Sequence, residues 1–170
     1  MKVVVIGYGS IGKRHVANLI ELGIVDVFLF RSSKKGNKLN LKEITKFEDI
    51  ININPDFVIV SNPTSLHFQI LKSLVKYKFN ILCEKPILHK IEEWNLLKPL
   101  LKCYKGCANV MFNLRYHPCI NKVKELLDNN TLGKINSARF FVGQFLPDWR
   151  SEINHLESYS AFKELGGGVV

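Results

Sequence analysis

The sequence predicts an α/β fold with a doubly wound parallel sheet, followed by the start of an α+β domain with an open sheet. Continuous apolar runs alternate with segments whose apolar residues recur at helical spacing, as in strands joined by crossover helices. A glycine-rich turn directly follows the first run. After Pro118 the pattern changes to one helix and one long strand of alternating polarity, so we divide the chain into domains at 1–118 and 119–170.

The elements of the first domain follow from these patterns. KVVVIG is β-branched and apolar throughout, which is typical of a strand covered on both faces. Thr64 is expected to cap the third helix, and Pro99 to kink or end the fourth. Further strands are expected in VDVFLFR, DFVIVSNP, FNILCEKP and CANVMFN, and helices in SIGKRHVANLIELG, FEDIININ, TSLHFQILKSLVKYK and IEEWNLLKPLLKCYK.

The second domain is expected to begin with a helix over CINKVKELLDNNTLG that Gly133 stops, followed by a half-exposed strand over KINSARFFVGQF. The final ELGGGVV resembles the onset of another element. A domain of only about fifty residues cannot readily bury its own sheet face. We therefore expect the sequence to be incomplete at this point.

Composition and charge narrow the class of protein. The chain of 170 residues is 46% hydrophobic and 23% charged, as in ordinary globular proteins. No apolar run reaches membrane-spanning length and no cleavable leader is recognised, so a cytoplasmic location without membrane partners is expected. The net charge of +9 is scattered rather than gathered in a basic run. It predicts anionic cofactors or substrates rather than nucleic acid.

The cysteines do not form a standard metal-binding pattern. Cys103, Cys107 and Cys119 lie near His117 in the sequence, but their spacing fits no common zinc site and the chain contains no C-x-x-C pair. Cys83 lies inside a strand-like apolar run, where a thiol acts as a small hydrophobe. Reduced, mostly buried thiols and no metal are expected.

The turn VIGYGSIGKRH carries the pattern G-x-G-x-x-G between a strand and a helix. Gly7 would allow the sharp turn, Gly9 a close approach of phosphate to the backbone, and Gly12 tight packing of the helix. The amino terminus of the helix, at Ser10 and Ile11, would present free N–H groups to a pyrophosphate. A dinucleotide is the predicted ligand, and a purely structural glycine turn is the alternative.

The end of the second strand bears on the choice between NAD and NADP. It reads FLFRSSKK, with no carboxylate for the adenosine ribose, while Asp26 lies at the opposite end of the strand. Arg31 and Ser32, with Ser33 and Lys34, suit a 2′-phosphate that no carboxylate competes for. NADP is therefore predicted in preference to NAD, and an exposed polar loop is the alternative.

Seven short motifs together resemble the glucose-fructose oxidoreductase, inositol 2-dehydrogenase and MocA (Gfo/Idh/MocA) family of nicotinamide-dependent oxidoreductases. The resemblance implies a Rossmann domain and hydride transfer between nicotinamide and a hydroxyl or keto group of a sugar, cyclitol or nucleotide sugar. It also implies a homo-oligomer for the full-length protein. The motifs are GYGSIGKRH, SNPTSLHF, CEKPI, NLRYHP, GKINSARF, DWR and LGGG, in the order of the family.

The resemblance implies a catalytic role for Lys85 beside the nicotinamide. Pro86 would restrict Lys85 to an extended conformation at the carboxyl edge of the sheet, where ligands bind; a solvated lysine in a turn is the alternative. The loop of Ser61, Asn62, Pro63 and Thr64 opens a helix at the carboxyl edge of the sheet and can offer backbone and hydroxyl groups to the cofactor, with a simple capping turn as the alternative. The resemblance further implies contacts from His67, Glu84, Arg115, Trp149 and Arg150, with surface stacking as the alternative for the last two.

In the family, a later histidine preceded by an aspartate completes the acid–base pair. None of the five histidines of this chain occupies that position, so we expect the chain to be inactive alone. The alternative function is a non-catalytic nucleotide-binding module or a decayed fragment.

Overall fold

The computed structural model describes residues 1–143, 145, 148, 154–158 and 161–167. Six parallel strands form one sheet in the order β3-β2-β1-β4-β5-β6. The predicted doubly wound parallel sheet is confirmed. The strands are β1 Lys2–Ile6, β2 Asp26–Phe30, β3 Lys42–Ile44, β4 Phe57–Val60, β5 Asn80–Cys83 and β6 Ala108–Val110.

Helices cover both faces of the sheet, and every pair of consecutive strands except β2 and β3 is connected through one. The order of the strands runs outward from β1 through β2 and β3 on one side, and through β4, β5 and β6 on the other. This reversal opens a crevice at the carboxyl ends of β1 and β4, where ligands bind in such sheets. The helices are α1 Ser10–Glu21, α2 Phe47–Ile53, α3 His67–Leu74, α4 Ile91–Cys103 and α5 Pro118–Asp128.

Strand β1 lies at the centre of the core. Val4 and Ile6 belong to one apolar cluster, whereas Val3 and Val5 belong to the other, because successive side chains of a strand point to opposite faces. Val16 of α1 packs in the second cluster. All of these residues are at most 2% exposed, so the continuous apolar character of β1 follows from burial on both faces.

Strand β3 and the bounds of α3 differ from the prediction. Strand β3 pairs with β2 through Phe28 and Lys42, Leu29 and Glu43, and Phe30 and Ile44. The sequence did not predict it, because three residues are too few to show a period. The third helix is also shorter than predicted. Thr64–Leu66 forms a 3-10 turn before it, and α3 ends at Leu74.

Thr64 does not cap α3 as predicted. Its side chain makes no capping hydrogen bond and is buried, with 2% exposure. Pro99 lies inside α4, which continues to Cys103 instead of ending at the proline. Leu97 on the apolar face of α4 is buried, and this packing opposes the loss of the one backbone hydrogen bond that a proline removes.

The second predicted region contains α5, which ends at Asp128, earlier than the predicted stop at Gly133. The long strand predicted over residues 134–145 is wrong for the described residues 134–143, which form neither strand nor helix. Phe140 and Phe141 are 80% and 91% exposed. A strand needs a partner for its backbone hydrogen bonds, and no described segment pairs with this one.

The cysteines are free, as expected, but they are not mostly buried. Cys83 is buried, whereas Cys103, Cys107 and Cys119 are exposed. The Nδ1 of His117 accepts a hydrogen bond from the N–H of Cys119 at 3.2 Å, capping α5. Within the described residues no group of three or more His, Cys, Asp or Glu side chains could hold a metal ion. No helix of the described part has the length and apolar character needed to cross a membrane.

Candidate functional site

A cavity of about 390 Å³ lies where three neighbouring strands end. Gly7 follows β1, Ser61 follows β4 and Glu84 follows β5, so the parallel sheet brings turns from distant parts of the sequence to one edge. The lining residues are Gly7, Tyr8, Gly9, Ser10, Ile11, Ser61, Asn62, Pro63, Thr64, His67, Glu84, Lys85 and Ser158.

Gly7 and Gly12 close the glycine-rich turn. Gly7 has φ +87°, and a Cβ there would lie 2.7 Å from the backbone nitrogen of Asn62. A Cβ at Gly12 would overlap the carbonyl oxygen of Gly7. The structure therefore supports the conformational roles predicted for both residues, because the turn leaves no room for a side chain at either position.

Gly9 differs from both, because a Cβ there would meet nothing within 4 Å. Its backbone, with φ −77° and ψ −165°, is one that any residue can adopt. The space beside Gly9 belongs to the cavity. Helix α1 begins directly after it with no side-chain cap and no acidic residue in the first turn. This end of the helix fits an anionic group such as a pyrophosphate.

Asn62 provides a second sign that the cavity fits a polar ligand. Its side-chain oxygen Oδ1 is buried and has no hydrogen-bond partner in the part of the chain that the structure describes. Buried polar atoms are nearly always paired in native proteins. Since Asn62 lines the cavity, a hydroxyl or amide of a bound dinucleotide could donate to this oxygen.

His67 fixes the walls of the cavity from behind. Its Nε2 lies 2.9 Å from the carbonyl oxygen of Asn62, and its Nδ1 lies 3.0 Å from that of Pro86 and 3.2 Å from that of Ile87. The residue is 1% exposed. These contacts join the turn after β4 to the turn after β5. His67 therefore has a structural role, in addition to the contact with the cofactor that the sequence predicts.

Glu84 is held by a histidine from α1. The Nε2 of His15 lies 2.8 Å from Oε1 of Glu84, and both side chains are largely buried. Partial burial raises the pKa of Glu84, but the hydrogen bond and charge of His15, together with the N–H and charge of Lys85, outweigh it and lower the pKa below its ordinary value. The carboxylate is therefore ionised at neutral pH.

Lys85 is exposed and lines the cavity. Its N–H donates to Oε2 of Glu84 at 3.3 Å, and the peptide bond to Pro86 is cis. The neighbouring thiol of Cys83 is no candidate nucleophile, because burial and the charge of Glu84 raise its pKa to about 12. Lys85 thus offers the amino group at this edge of the sheet.

Arg31 is not free of carboxylates, which corrects the prediction that none competes there. Its Nη1 donates to Oε1 of Glu43 at 3.0 Å. Strand β3, which the sequence did not predict, places Glu43 beside the end of β2. The guanidinium also lies 5.6 Å from the centre of the Tyr8 ring, and Tyr8 lines the cavity.

Not every predicted cofactor-binding residue lines the cavity. Gly12 lies behind the turn, Ser32 is exposed at the end of β2, and Arg115 lies in a 3-10 turn with its guanidinium 5.9 Å from the centre of the Phe112 ring. The predictions for Trp149 and Arg150 fall outside the described residues.

Four residues near the site were missed: Tyr8, His15, Glu43 and Ser158. Tyr8 lies between Gly7 and Gly9 of the glycine motif, so its position in the sequence could have indicated that it lies at the site. The pairing of His15 with Glu84 spans 69 positions, and no local pattern shows it.

The glycine-rich segment near the end of the chain packs beside the cavity wall. Gly166 has φ +78°, and a Cβ on it would lie 2.7 Å from Cβ of Thr64. Gly166 of the motif LGGG and Thr64 of the motif SNPTSLHF thus meet in space, although about a hundred residues separate them.

The comparisons with known proteins agree with this geometry. A family model described as an oxidoreductase family with an NAD-binding Rossmann fold, Gfo/Idh/MocA, matches residues 1–112. The chain is 30% identical to a myo-inositol 2-dehydrogenase of Thermotoga maritima over 82% of its own length and 44% of that protein. It is 27% identical to a glucose-6-phosphate 3-dehydrogenase of Bacillus subtilis over 97% of its own length and 50% of that protein.

A solved structure shows the same fold. The scyllo-inositol dehydrogenase of Lactobacillus casei, with bound NAD(H) and scyllo-inositol, superimposes with a TM-score of 0.69 at 22% identity. The match covers 79% of this chain and 43% of that one. The chain thus spans half or less of the length of these relatives.

Proposed function

Because the chain belongs to the Gfo/Idh/MocA oxidoreductase family, we propose that it binds a nicotinamide dinucleotide and acts in hydride transfer to or from a sugar, a cyclitol or a nucleotide sugar. One observation carries the proposal: a single cavity is lined both by the glycine-rich turn at Gly9 and by Lys85. The turn suits phosphates, and an amino group suits a substrate oxygen. The activity of the whole protein is proposed in the same terms.

The cofactor is proposed to lie along the crevice between the ends of β1 and β4. Gly9, Ser10 and Ile11 line the cavity at the amino terminus of α1 and would receive the pyrophosphate. The unpaired Oδ1 of Asn62 would accept a hydrogen bond from a polar group of the cofactor. A bound nicotinamide dinucleotide supplies the two-electron chemistry, because its nicotinamide ring carries the hydride.

Lys85 is the proposed catalytic residue. As an ammonium it donates a hydrogen bond to a keto oxygen, and as a neutral amine it accepts the proton of a hydroxyl. Glu84, fixed by His15, holds the N–H of Lys85 and so steadies the backbone from which that side chain extends. Pro86 and the contacts of His67 fix the other side of the turn.

The proposed substrate class follows from the relatives. Their names specify myo-inositol and glucose 6-phosphate, which are both rings with several adjacent hydroxyls. A net charge of +9 would favour anionic members of this class, such as phosphorylated or nucleotide-linked sugars. We propose a polyhydroxylated ring as the substrate.

The preference for NADP is a proposal with one supporting and one opposing feature. Arg31 follows β2 at the position where Rossmann folds bind the 2′-phosphate of NADP, and Ser32 is exposed beside it. Glu43 opposes this preference, because its carboxylate lies on Arg31. The proposed preference is therefore modest in the wild-type chain.

The division into two domains is also proposed. Residues 1–118 would bind the dinucleotide, and residues 119–170 would begin the domain that holds the substrate and forms a homo-oligomer. Helix α5 supports this division, since its apolar residues Ile120, Val123 and Leu127 are more than 40% exposed on one face. Such a face normally packs against further structure.

The experiment is a titration with NADH and NADPH, followed by nicotinamide fluorescence, of the wild type, Gly9→Val and Gly143→Val. Gly9→Val should fold, because its backbone is permissive, yet lose at least about tenfold in affinity as its methyl groups enter the phosphate space. Gly143, exposed and outside the cavity, provides the control. Equal affinities of Gly9→Val and wild type would overturn the proposed cofactor site.

The reaction is tested by following nicotinamide absorbance with a panel of inositols, sugar phosphates and nucleotide sugars. Oxidation of at least one ring polyol, with NAD⁺ or NADP⁺ as the hydride acceptor, is expected from the whole protein. Cofactor binding without turnover of any member of the panel would favour the non-catalytic nucleotide-binding module.

A further inference from the structure

The carboxylate of Glu43 is held by three donors. Arg31 Nη1 lies 3.0 Å and Asn37 Nδ2 3.1 Å from its Oε1, while the N–H of Lys35 donates to its Oε2 at 2.9 Å. The Glu43 side chain is only 6% exposed. An edge strand thus places a nearly buried carboxylate, which accepts three hydrogen bonds from the protein, at the end of β2.

Arg31 connects this carboxylate to the cavity. On one side its guanidinium pairs with Glu43, and on the other it lies 5.6 Å from the centre of the Tyr8 ring. Tyr8 belongs to the glycine-rich turn and lines the cavity. A group bound beside Tyr8 would therefore meet an arginine whose charge is already balanced.

The charge of Glu43 is maintained at neutral pH. Hydrogen bonds from the Asn37 amide and the Lys35 N–H lower the pKa of Glu43 below its ordinary value, and the charge of Arg31 adds to this against an opposing effect of burial. A phosphate monoester carries nearly two negative charges at pH 7 and would be repelled by the carboxylate, whereas a hydroxyl could donate to it.

We propose that Glu43 sets how strongly this site distinguishes NADPH from NADH, by holding Arg31 and cancelling its charge. The inference rests on the proposed function, since it assumes that the adenosine ribose lies near Arg31. It adds a specificity residue on β3, outside the strand end where the sequence predicts the choice between the two cofactors. With Glu43 neutral, Arg31 would be free to pair with a 2′-phosphate.

If Glu43 acted only by bracing the loop, any substitution that loosens the loop should shift the preference between NADPH and NADH equally. Glu43 also braces the loop between β2 and β3, through Lys35 and Asn37. Asn37 also holds this loop through Leu41, because its side chain donates to the carbonyl oxygen of Leu41 at 2.8 Å and accepts from the N–H of Leu41 at 2.9 Å. Asn37→Ala loosens the loop and removes one neutral donor from Glu43, but it leaves the carboxylate paired with Arg31, so it serves as the matched control.

The experiment measures the dissociation constants of NADH and NADPH at low salt for wild type, Glu43→Gln, Asn37→Ala, Arg31→Ala and Arg31→Ala combined with Glu43→Gln. Glu43→Gln should raise the preference for NADPH about tenfold, the usual effect of one charge-assisted contact. Arg31→Ala should lower it, and Glu43→Gln should change it little in the absence of Arg31. Asn37→Ala should leave the preference near that of the wild type.

The outcomes separate this inference from the proposed function. A wild-type chain that binds neither cofactor would overturn both. Binding of both with an unchanged preference in Glu43→Gln, or an equal shift in Asn37→Ala, would overturn only the role of Glu43. Circular dichroism checks that each variant folds. If Glu43→Gln does not fold, Glu43→Asp takes its place, because it keeps the charge but withdraws it from Arg31. Glu43→Asp should raise the preference for NADPH by a smaller factor, and an unchanged preference would overturn the proposed role of Glu43.

Discussion

The Nε2 of His15 lies 2.8 Å from Oε1 of Glu84, which ties helix α1 to the residue that precedes Lys85. The two side chains are 12% and 16% exposed, so solvent screens their interaction only partly. The pair joins the part of the site that is proposed to hold phosphate to the part proposed to act on the substrate. We therefore expect it to affect both stability and turnover.

Glu84→Gln should lower the free energy of unfolding at pH 7 by about 1–2 kcal/mol, because a charged hydrogen bond becomes a neutral one. The folded pKa of Glu84 is lowered, so its contribution is present above the ordinary value of 4.5 and is lost as the pH falls through the folded pKa. Denaturant unfolding from pH 7 down to the acid range should show the two proteins converging.

The control for this prediction is Glu93→Gln, which alters the pair between His89 and Glu93, 3.3 Å apart and outside the cavity. It should leave turnover of the whole protein unchanged, whereas Glu84→Gln should lower turnover more than cofactor affinity. A pH-independent difference between wild type and Glu84→Gln would argue against an ionised Glu84 as the source of the effect.

His67→Ala should destabilise the chain by about 2–4 kcal/mol, since it removes a buried ring together with its polar contacts to the carbonyl oxygens of Asn62, Pro86 and Ile87. Thermal and denaturant unfolding measure the loss. Gln69→Ala, exposed on the same helix, provides the control. Unchanged stability with a loss of cofactor affinity would instead indicate direct contact between His67 and the cofactor.

Substituting alanine for two glycines of the same turn should change stability by very different amounts. Gly12→Ala should cost about 3 kcal/mol or more of stability, because the new methyl group overlaps the carbonyl oxygen of Gly7. Gly9→Ala should change stability by less than about 1 kcal/mol, because its new methyl group meets open space. Unfolding curves for the two variants test this contrast, and equal stabilities would contradict the geometry of the turn.

Lys85→Ala should reduce turnover by the whole protein roughly a hundred- to ten-thousandfold, the usual range for an acid–base group, with little change in cofactor affinity. Lys98→Ala, exposed in α4, controls for the loss of one positive charge. Steady-state kinetics with a substrate found by the panel give the measurement. Full activity of Lys85→Ala would remove Lys85 from the mechanism.

The sequence predicted the parts of the fold that rest on local patterns. The apolar run of β1 and the glycines that follow it suffice to place the turn, because burial on both faces and the lack of a Cβ have direct sequence signals. Contacts between distant residues have no such signal. Glu43 lies on a three-residue strand, and the charge balance at Arg31 could not be predicted without knowing that this strand pairs with β2.

The strand predicted over residues 134–145 illustrates a second limit. Alternating polarity indicates that a segment is suited to a half-buried strand. A strand forms only where another strand offers hydrogen bonds to its backbone. The described residues 134–143 have no such partner. For Thr64, the expected capping hydroxyl is instead buried beside Gly166, a contact between segments far apart in the sequence.

The position of β1 in the middle of the sheet has a consequence for motion. The amides of Val4 and Val5 are enclosed by strands on both sides, so their hydrogens should exchange with solvent only when the whole domain opens. The exposed loop between β2 and β3 should open locally and far more often. A dinucleotide bound as proposed would then contact a nearly rigid segment at its pyrophosphate and a more mobile loop at its adenosine, and we expect binding to order that loop while leaving the sheet unchanged.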